Sequence, residues 1–317
     1  MNPLDRSKFS RDQVMMTLSA IAYTPFRSIV ALQDCLNGAE ALEQAYTAIW
    51  WGKTGSIALF AVKNKLTEEY VVIIRGPVFR PGLAFLLNLY ESFNMGRQIS
   101  LPYSRLGSAK VAAGILQAIL EINDMIYSGR TIKQVLNNFP VRTKVFITGH
   151  SLGGSLAAAY AAKVVCSNSR ELDIIPYTFG APAMGNDLFA NLFDPGNPNS
   201  LFNHSSRCAN VRDIIPDLWN DLPAMTTVDY GDSKCPVDFS LCIEYMERLL
   251  IVSKVFYVQP PLQLELKGDL GLNESFFQEA LFQHQPNTYL SLLGLGPIDN
   301  ANFSYNDQKV STLVNSL

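Results

Sequence analysis

The sequence lacks an apolar run long enough to cross a bilayer, which takes about 18–20 residues. Its first fourteen residues, MNPLDRSKFSRDQV, are polar and carry no apolar core of a secretory signal. The net charge is −3 and the basic residues are scattered, which argues against a nucleic-acid partner. We therefore expect no transmembrane segment. The protein is expected to be cytoplasmic, exported without a classical signal peptide, or a processed form of a longer chain.

Cysteine is scarce and shows no pattern. The five cysteines are Cys35, Cys166, Cys208, Cys235 and Cys242. Their number is odd, and no CxxC pair or metal-ligand spacing is present, so a metal site built on them is not indicated. Reduced, mostly buried thiols are the favoured interpretation. A Cys208–Cys235 or Cys235–Cys242 bridge is the alternative for an exported protein.

Apolar residues make up 48 % of the 317 positions and charged residues 17 %. This composition supports a sizeable core and excludes a mainly disordered or fibrous protein. No internal repeat or long low-complexity linker interrupts the chain, so we expect one domain over residues 1–317.

The pattern of apolar residues predicts alternating strands and helices through the middle of the chain. The predicted helices are 11–23, 39–45 and 108–128, and the predicted strands are 56–62, 69–75, 144–148, 173–179 and 209–215. This alternation predicts an α/β fold with a mostly parallel central sheet flanked by helices.

One segment carries the pattern of a nucleophilic serine. Gly149-His150-Ser151-Leu152-Gly153 fits G-x-S-x-G, with an apolar strand before it and the Ala-rich SLAAAYAAKVV after it. A strand-to-helix turn of this kind projects the serine hydroxyl toward substrate, and its glycines fit where the turn approaches neighbouring backbone. The N–H of Leu152, at the helix start, points to where an oxyanion would form. A purely structural glycine-rich turn is the alternative, which the flanking strand and helix disfavour.

A serine hydroxyl becomes a good nucleophile only when a histidine accepts its proton and an acid orients that histidine. The chain has three histidines, His150, His204 and His284. In α/β-hydrolases the chain order is Ser, then Asp or Glu, then His. We therefore assign the role to His284, with His204 as the alternative, and interpret His150 as a packed residue.

The candidate acid is Asp213, in the segment ANVRDIIP. It lies where a predicted strand gives way to a proline-terminated loop, and the carboxyl ends of strands carry the functional groups of α/β sheets. Asp217, Asp221 and Asp229 lie in neighbouring loop sequence and are the alternatives.

Four blocks of sequence resemble the class 3 lipase family, the fungal-type triacylglycerol lipases and their bacterial relatives. The blocks are 71–76 (VVIIRG), 148–154 (TGHSLGG), 178–186 (TFGAPAMGN) and 210–216 (NVRDIIP). His284 with Tyr289 is a loose match to the family's histidine segment. The resemblance implies an α/β-hydrolase fold, a lipase or esterase acting on lipid esters through an acyl-enzyme, and no metal or cofactor.

The chain departs from the family at one position. Class 3 lipases place Ser or Thr directly after the RG pair and use its hydroxyl and N–H in the oxyanion hole, whereas this chain has Pro77, which has neither. Losing one such donor typically costs on the order of 10²–10³ in turnover. We expect the N–H of Val78 or Gly76 to act instead. The alternatives are a slow enzyme or a lipid-binding protein without catalysis, which the presence of all three triad residues disfavours.

The segment 82–95 (GLAFLLNLYESFNM) stands where class 3 lipases carry a mobile lid helix, and it is too apolar for a solvated helix. A lid that contacts a lipid interface transiently and a core helix are the two interpretations. The candidate substrate-binding residues are His150, Phe79, Leu83 and Leu86. The apolar stretch 237–266 is either an extra helix and strand or a wall of an acyl-binding groove. A phospholipase with the same triad is the alternative activity.

Overall fold

A seven-stranded sheet forms the centre of the computed structural model, which describes residues 8–78, 83–167, 171–198, 200–202, 204–271 and 273–303. The strands are β1 (Tyr46–Thr54), β2 (Ile57–Asn64), β3 (Tyr70–Arg75), β4 (Gln98–Ser100), β5 (Lys110–Ala112), β6 (Ile126–Tyr127), β7 (Arg130–Thr131), β8 (Lys144–His150), β9 (Asp173–Phe179), β10 (Ser206–Asn210) and β11 (Leu264–Leu266). The order in the central sheet is β1-β2-β3-β8-β9-β10-β11. In this sheet β1, β2 and β3 pair antiparallel, and the neighbours β3-β8, β8-β9, β9-β10 and β10-β11 pair parallel. The predicted mostly parallel central sheet is confirmed.

Helices surround this sheet. They are α1 (Arg11–Ile21), α2 (Ile29–Gly38), α3 (Leu83–Ser92), α4 (Ala113–Asp124), α5 (Ile132–Asn137), α6 (Leu152–Ser167), α7 (Asp187–Ala190), α8 (Ala224–Thr227), α9 (Val237–Ser253), α10 (Phe276–Gln283) and α11 (Pro286–Leu292). Across the described ranges, none of them is both long and apolar enough to cross a membrane.

The central strand β8 is covered by a helix on each face. Side chains of successive strand residues point to opposite faces. The hydroxyl of Thr148 lies 3.1 Å from that of Ser19 in α1, and a Cβ on the next residue, Gly149, would lie 2.4 Å from the carbonyl oxygen of Gly153 in α6. Thus α1 and α6 pack on opposite faces, and β8 ends between them.

The structure corrects several predicted elements. The prediction of a helix at 39–45 is wrong. The α-helix lies earlier, at Ile29–Gly38, and only the short 3-10 turn Glu40–Leu42 follows it. Strand β1 was not predicted, and β10 ends at Asn210 instead of reaching residue 215. The stretch 237–266 contains a helix and a strand, α9 and β11.

All five cysteines are free thiols, so neither proposed disulfide is present. Cys208 and Cys242 are buried and the other three are partly buried. This agrees with the favoured interpretation of reduced, mostly buried thiols.

Candidate active site

The turn between β8 and α6 holds Ser151 in a strained backbone conformation. Its φ is +57°, in the left-handed region that costs a side chain-bearing residue roughly 1–2 kcal/mol. The backbone N–H of Ser151 donates to the carbonyl of Phe179, at the end of the neighbouring strand β9 (2.9 Å). The strained turn is therefore tied to the sheet, as a nucleophile elbow requires.

The motif's two glycines are explained by close backbone contacts. A Cβ on Gly149 would lie 2.5 Å from the carbonyl oxygen of Ile74, and one on Gly153 would lie 2.3 Å from the same oxygen. Real Cβ atoms do not approach an atom so closely, so α6 can pack against the end of β3 only when both positions lack side chains. The small residues of G-x-S-x-G thus let helix and strand meet beneath the serine.

Three side chains from distant parts of the chain form a continuous hydrogen-bonded series. The hydroxyl of Ser151 lies 2.7 Å from Nε2 of His284, and Nδ1 of His284 lies 2.6 Å from Oδ2 of Asp213. Because an ionised carboxylate only accepts, Nδ1 carries the ring proton and Nε2 is left to accept from the serine. The structure therefore brings together the three residues that the sequence predicted as nucleophile, base and acid.

Asp213 is buried but fully hydrogen-bonded. Its Oδ1 accepts from the backbone N–H of Ile215 (2.9 Å), and its Oδ2 accepts from both His284 and the hydroxyl of Tyr289 (2.8 Å). That tyrosine hydroxyl in turn accepts from the N–H of Asn210 (3.1 Å). Burial without hydrogen bonds would destabilise the charged form of a carboxylate, and these donors offset that cost.

His284 sits where two helices meet. It caps α10, and α11 begins two residues later at Pro286, so a tight helix–helix junction holds the ring. The side-chain amide of Asn210, at the end of β10, donates to the carbonyl of Gln283 (3.1 Å) and to its side-chain Oε1 (2.7 Å). Asn210 thereby fixes the histidine segment to the strand that leads to Asp213. This role for Asn210 was missed from the sequence, because contacts between residues so far apart leave no local pattern.

His150 packs against the catalytic candidate rather than facing the surface. Its ring centroid lies 4.7 Å from that of His284, and the hydroxyl of Tyr23 donates to its backbone carbonyl (3.1 Å). Burial first, and then the nearby His284, lower the pKa of His150 well below its ordinary value. The ring is therefore neutral, and it adds no positive charge beside the triad.

The candidate oxyanion residues lie at the junction of β3 and α6. Leu152 is the first residue of α6, where backbone N–H groups have no partner within the helix. A Cβ on Gly76 would lie 2.9 Å from the backbone nitrogen of Gly153, so the segment after β3 runs directly against this helix start. Pro77 is half-buried and Val78 is exposed. Phe79, a candidate substrate-binding residue, lies outside the described residues.

Helix α3 lies beside this junction with its apolar side covered. Leu86 and Leu89 are buried, and the side chain of Leu83 lies outside the described part of the structure. A small cavity of about 10 Å³ separates Leu89 from Leu152 of the elbow and from Trp219. Ser151 is only 5 % exposed and His284 is fully buried, so neither side chain is open to solvent.

The alternative residues stay outside the triad. His204 is exposed, and the structure describes no hydrogen bond from Asp217, Asp221 or Asp229 to a histidine ring. Burial, followed by the charges of Asp213 and Asp221, raises the pKa of Asp217 to about 6. Within the described ranges, no group of three or more His, Cys, Asp or Glu residues could hold a metal ion.

Residues 79–222 match the family model described as Lipase (class 3). A secreted mono- and diacylglycerol lipase 1 of Fusarium solani is 30 % identical over 139 residues, covering 44 % of this chain and 37 % of that protein. Phospholipase A1-II 1 of Oryza sativa subsp. indica is 30 % identical over 96 residues, covering 29 % and 23 %. The chain thus spans well under half the length of these relatives. The crystal structure of M37 lipase shares the fold, with a TM-score of 0.77 at 21 % identity over 92 % of this chain and 96 % of that one.

Proposed function

We propose that this chain is a member of the class 3 lipase family of α/β-hydrolases, whose model matches residues 79–222, and that it hydrolyses carboxylic esters of lipids through an acyl-enzyme on Ser151. One observation carries the proposal: the unbroken series from the Ser151 hydroxyl through His284 to Asp213. A scaffold used only for binding has no physical need for this series, nor for a serine held at a φ of +57°.

In the first half of the reaction, Oγ of Ser151 attacks the ester carbonyl carbon while Nε2 of His284 takes its proton. The tetrahedral intermediate collapses, the C–O bond to the alcohol breaks, and His284 returns the proton to the leaving alcohol. Water then attacks the acyl-enzyme with the same help, which releases the fatty acid and restores Ser151. Throughout, Asp213 holds the imidazole in orientation and stabilises its charged form.

The negative charge on the intermediate's oxygen needs N–H donors at a fixed place. The N–H of Leu152 is the first donor, because it lies at the start of α6, where backbone N–H groups have no partner within the helix. Pro77 has no N–H to serve as the second. The N–H of Val78 or of Gly76 takes that role, since both residues flank Pro77 where the chain runs against α6.

Helix α3 is the cover of the site. Ser151 and His284 have almost no exposed surface, and Leu89 of α3 lines the cavity beside Leu152. The proposal is therefore that this helix moves to admit a long acyl chain to Ser151. Movement would expose the covered apolar side of α3, which is unfavourable in water and favourable at a lipid surface.

Two relatives support a glycerolipid ester as the substrate. Their names record a mono- and diacylglycerol lipase and a phospholipase A1. Acylglycerols and phospholipids are both esters, and the same triad would attack the acyl carbonyl of either. The proposal therefore covers neutral acylglycerols first, with phospholipids as the second candidate.

The test is release of fatty acid from emulsified triglyceride, emulsified diglyceride and phosphatidylcholine vesicles, together with p-nitrophenyl esters of increasing chain length. Wild type, Ser151→Ala and the matched control Ser155→Ala are compared. Ser155 lies on the same helix, but its hydroxyl donates to the carbonyl of Pro182 (2.7 Å) and not to the triad. We expect hydrolysis by wild type and by Ser155→Ala and none by Ser151→Ala. A folded wild type without activity on any of these substrates would contradict the proposal.

A further inference from the structure

Helix α9 exposes apolar side chains along one side. Six large apolar residues, each 56–79 % exposed, lie between positions 237 and 256: Val237, Leu241, Tyr245, Ile251, Val252 and Phe256. Four of them are spaced by four, four and seven residues, which places them on one side of a helix. The opposite side, which includes Phe239 and Met246, is buried. A helix that is apolar on both sides is normally covered on both, and the described part of the chain covers only one.

The charges on this exposed side largely cancel. Glu244 and Arg248, one turn apart, approach each other to 4.0 Å and are both well exposed. The exposed Asp238 lies near the start of the helix, and Lys254 follows its end. The side thus carries apolar groups with little net charge, and it lacks the basic cluster that an anionic surface would attract. Its chemistry matches a neutral or zwitterionic lipid surface.

The end of α9 lies against the segment that follows α3. The hydroxyl of Tyr257 donates to the carbonyl of Met95 (2.7 Å), and the side-chain amide of Gln98 donates to the carbonyl of Phe256 (2.7 Å). Met95 also lines the small cavity beside Leu152 of the elbow. The segment that follows α9 thus contacts Met95, which lines the cavity beside Leu152, the neighbour of Ser151 in the chain.

We propose that the docking face, defined as the exposed side of α9 with Phe256, is the surface by which this protein lies on neutral or zwitterionic lipid aggregates. The proposal rests on the proposed function in naming lipid as the occupant. Exposed apolar groups on a surface helix enter the boundary between headgroups and acyl chains, and Tyr245 has the apolar body and polar tip suited to that depth. Bound in this way, α9 brings the lipid close to the segment that follows α3 and to the cavity beside Leu152.

The test measures binding to phosphatidylcholine vesicles by co-sedimentation, in a Ser151→Ala background so that the vesicles stay intact. A triple variant of the docking face, Leu241→Ser, Val252→Ser and Phe256→Ser, is compared with the control triple Val30→Ser, Leu66→Ser and Val141→Ser. The control residues are also large, apolar and 55–71 % exposed, but they lie elsewhere in the chain. Thermal unfolding checks that both triples fold.

We expect the docking-face triple to bind vesicles at least about tenfold more weakly than the parent, because apolar area is no longer buried, and the control triple to bind like the parent. The proposal is overturned if the two triples bind vesicles equally, whether both bind like the parent or both bind more weakly than it. A parent that sediments as a dimer, and a docking-face triple that sediments as a monomer, would assign the face to a second copy and also overturn it.

Activity separates this proposal from the proposed function. In the Ser151-containing protein, the docking-face triple is expected to lose hydrolysis of emulsified triglyceride at least about fivefold and to keep hydrolysis of dissolved p-nitrophenyl butyrate. If neither the wild type nor the docking-face triple hydrolyses the dissolved ester, the proposed function fails. The vesicle measurement still decides whether α9 binds lipid.

Discussion

Tyr289 donates its phenolic hydrogen bond to the same oxygen of Asp213 that accepts from the catalytic candidate His284, at 2.8 Å and 2.6 Å. Burial first, and then the charge of Asp213, raise the pKa of Tyr289 well above its ordinary value. The hydroxyl therefore keeps its proton and donates at every pH at which the enzyme would work. Tyr289 positions the acid that positions the base.

The first prediction is that Tyr289→Phe lowers kcat roughly 10- to 100-fold with little change in KM. A hydrogen bond to a charged group contributes about 1.5–3 kcal/mol, and about 1.4 kcal/mol corresponds to tenfold in rate. Steady-state kinetics on a dissolved p-nitrophenyl ester measure the change. The control is Tyr160→Phe, whose buried hydroxyl lies 3.5 Å from Asn123 and away from the triad. Equal activity in Tyr289→Phe and wild type would show that this hydroxyl does not support Asp213.

The second prediction concerns Gly180, which sits at a φ of +56° beside the triad. A Cβ there would lie 2.8 Å from the Tyr289 hydroxyl and 3.0 Å from Oδ2 of Asp213. Gly180→Ala should therefore lower kcat at least about tenfold, in addition to a backbone cost of roughly 1–2 kcal/mol in stability. Gly107 has nearly the same φ, +55°, and open space around its Cβ position. Gly107→Ala should thus lose similar stability but keep its activity; a parallel loss of activity in both variants would refute the explanation by contact.

The third prediction is a pH dependence of stability from Asp217. Its pKa in the folded protein is raised to about 6, chiefly by burial, so ionising it destabilises the folded state. The free energy of unfolding therefore falls as pH rises from about 4 to about 6. Asp217→Asn should be more stable than wild type by about 1 kcal/mol at pH 7.5, a value reduced for partial exposure to solvent, and equal to it near pH 4.

Chemical denaturation of both proteins at these two pH values measures the difference. The exposed Asp232 provides the control, because Asp232→Asn should shift stability by a similar small amount at both pH values. A difference for Asp217→Asn that is the same at pH 4 and pH 7.5 would rule out the buried ionisation as its cause.

The fourth prediction locates the second oxyanion donor. If the N–H of Val78 replaces the one that Pro77 lacks, Val78→Pro removes it and lowers kcat on the order of 10²–10³-fold. Val78→Ala keeps the N–H and should have little effect, since the side chain is exposed. Full activity in Val78→Pro, combined with a large gain in Pro77→Ala, would instead mean that the hole of this protein lacks one donor.

The sequence predicted the site better than its surroundings, and the reason is the local nature of the motifs. Strand β9 has the bounds that were predicted, and β8 begins where predicted, because buried parallel strands are continuous apolar runs. Gly149 and Gly153 were recognised as part of a nucleophile turn because such a turn requires small residues at both positions. His284 followed by elimination among three histidines and from the chain order of the fold.

The errors came from local signals that were overlooked and from tertiary contacts that no local pattern specifies. Strand β1 (YTAIWWGKT) is rich in the β-branched and aromatic residues that strands favour, and this local signal was overlooked. The helix at Ile29–Gly38 is capped by Ser28, whose side chain accepts from the N–H of Ala31, a capping signal that was overlooked. Tyr289 was noted only as part of a motif. Its contact with Asp213 depends on the turn between α10 and α11, which no local pattern specifies.

The most direct test of the central claim is phosphonylation by an alkyl fluorophosphonate, an acylation mimic that needs an activated serine and no particular lipid. We predict that mass spectrometry finds one modified residue, Ser151, that Ser151→Ala is not modified, and that His284→Ala reacts at least about 10³-fold more slowly because its serine has no base. Modification of another serine, or an unchanged rate in His284→Ala, would contradict the assignment of Ser151, His284 and Asp213 as the catalytic triad.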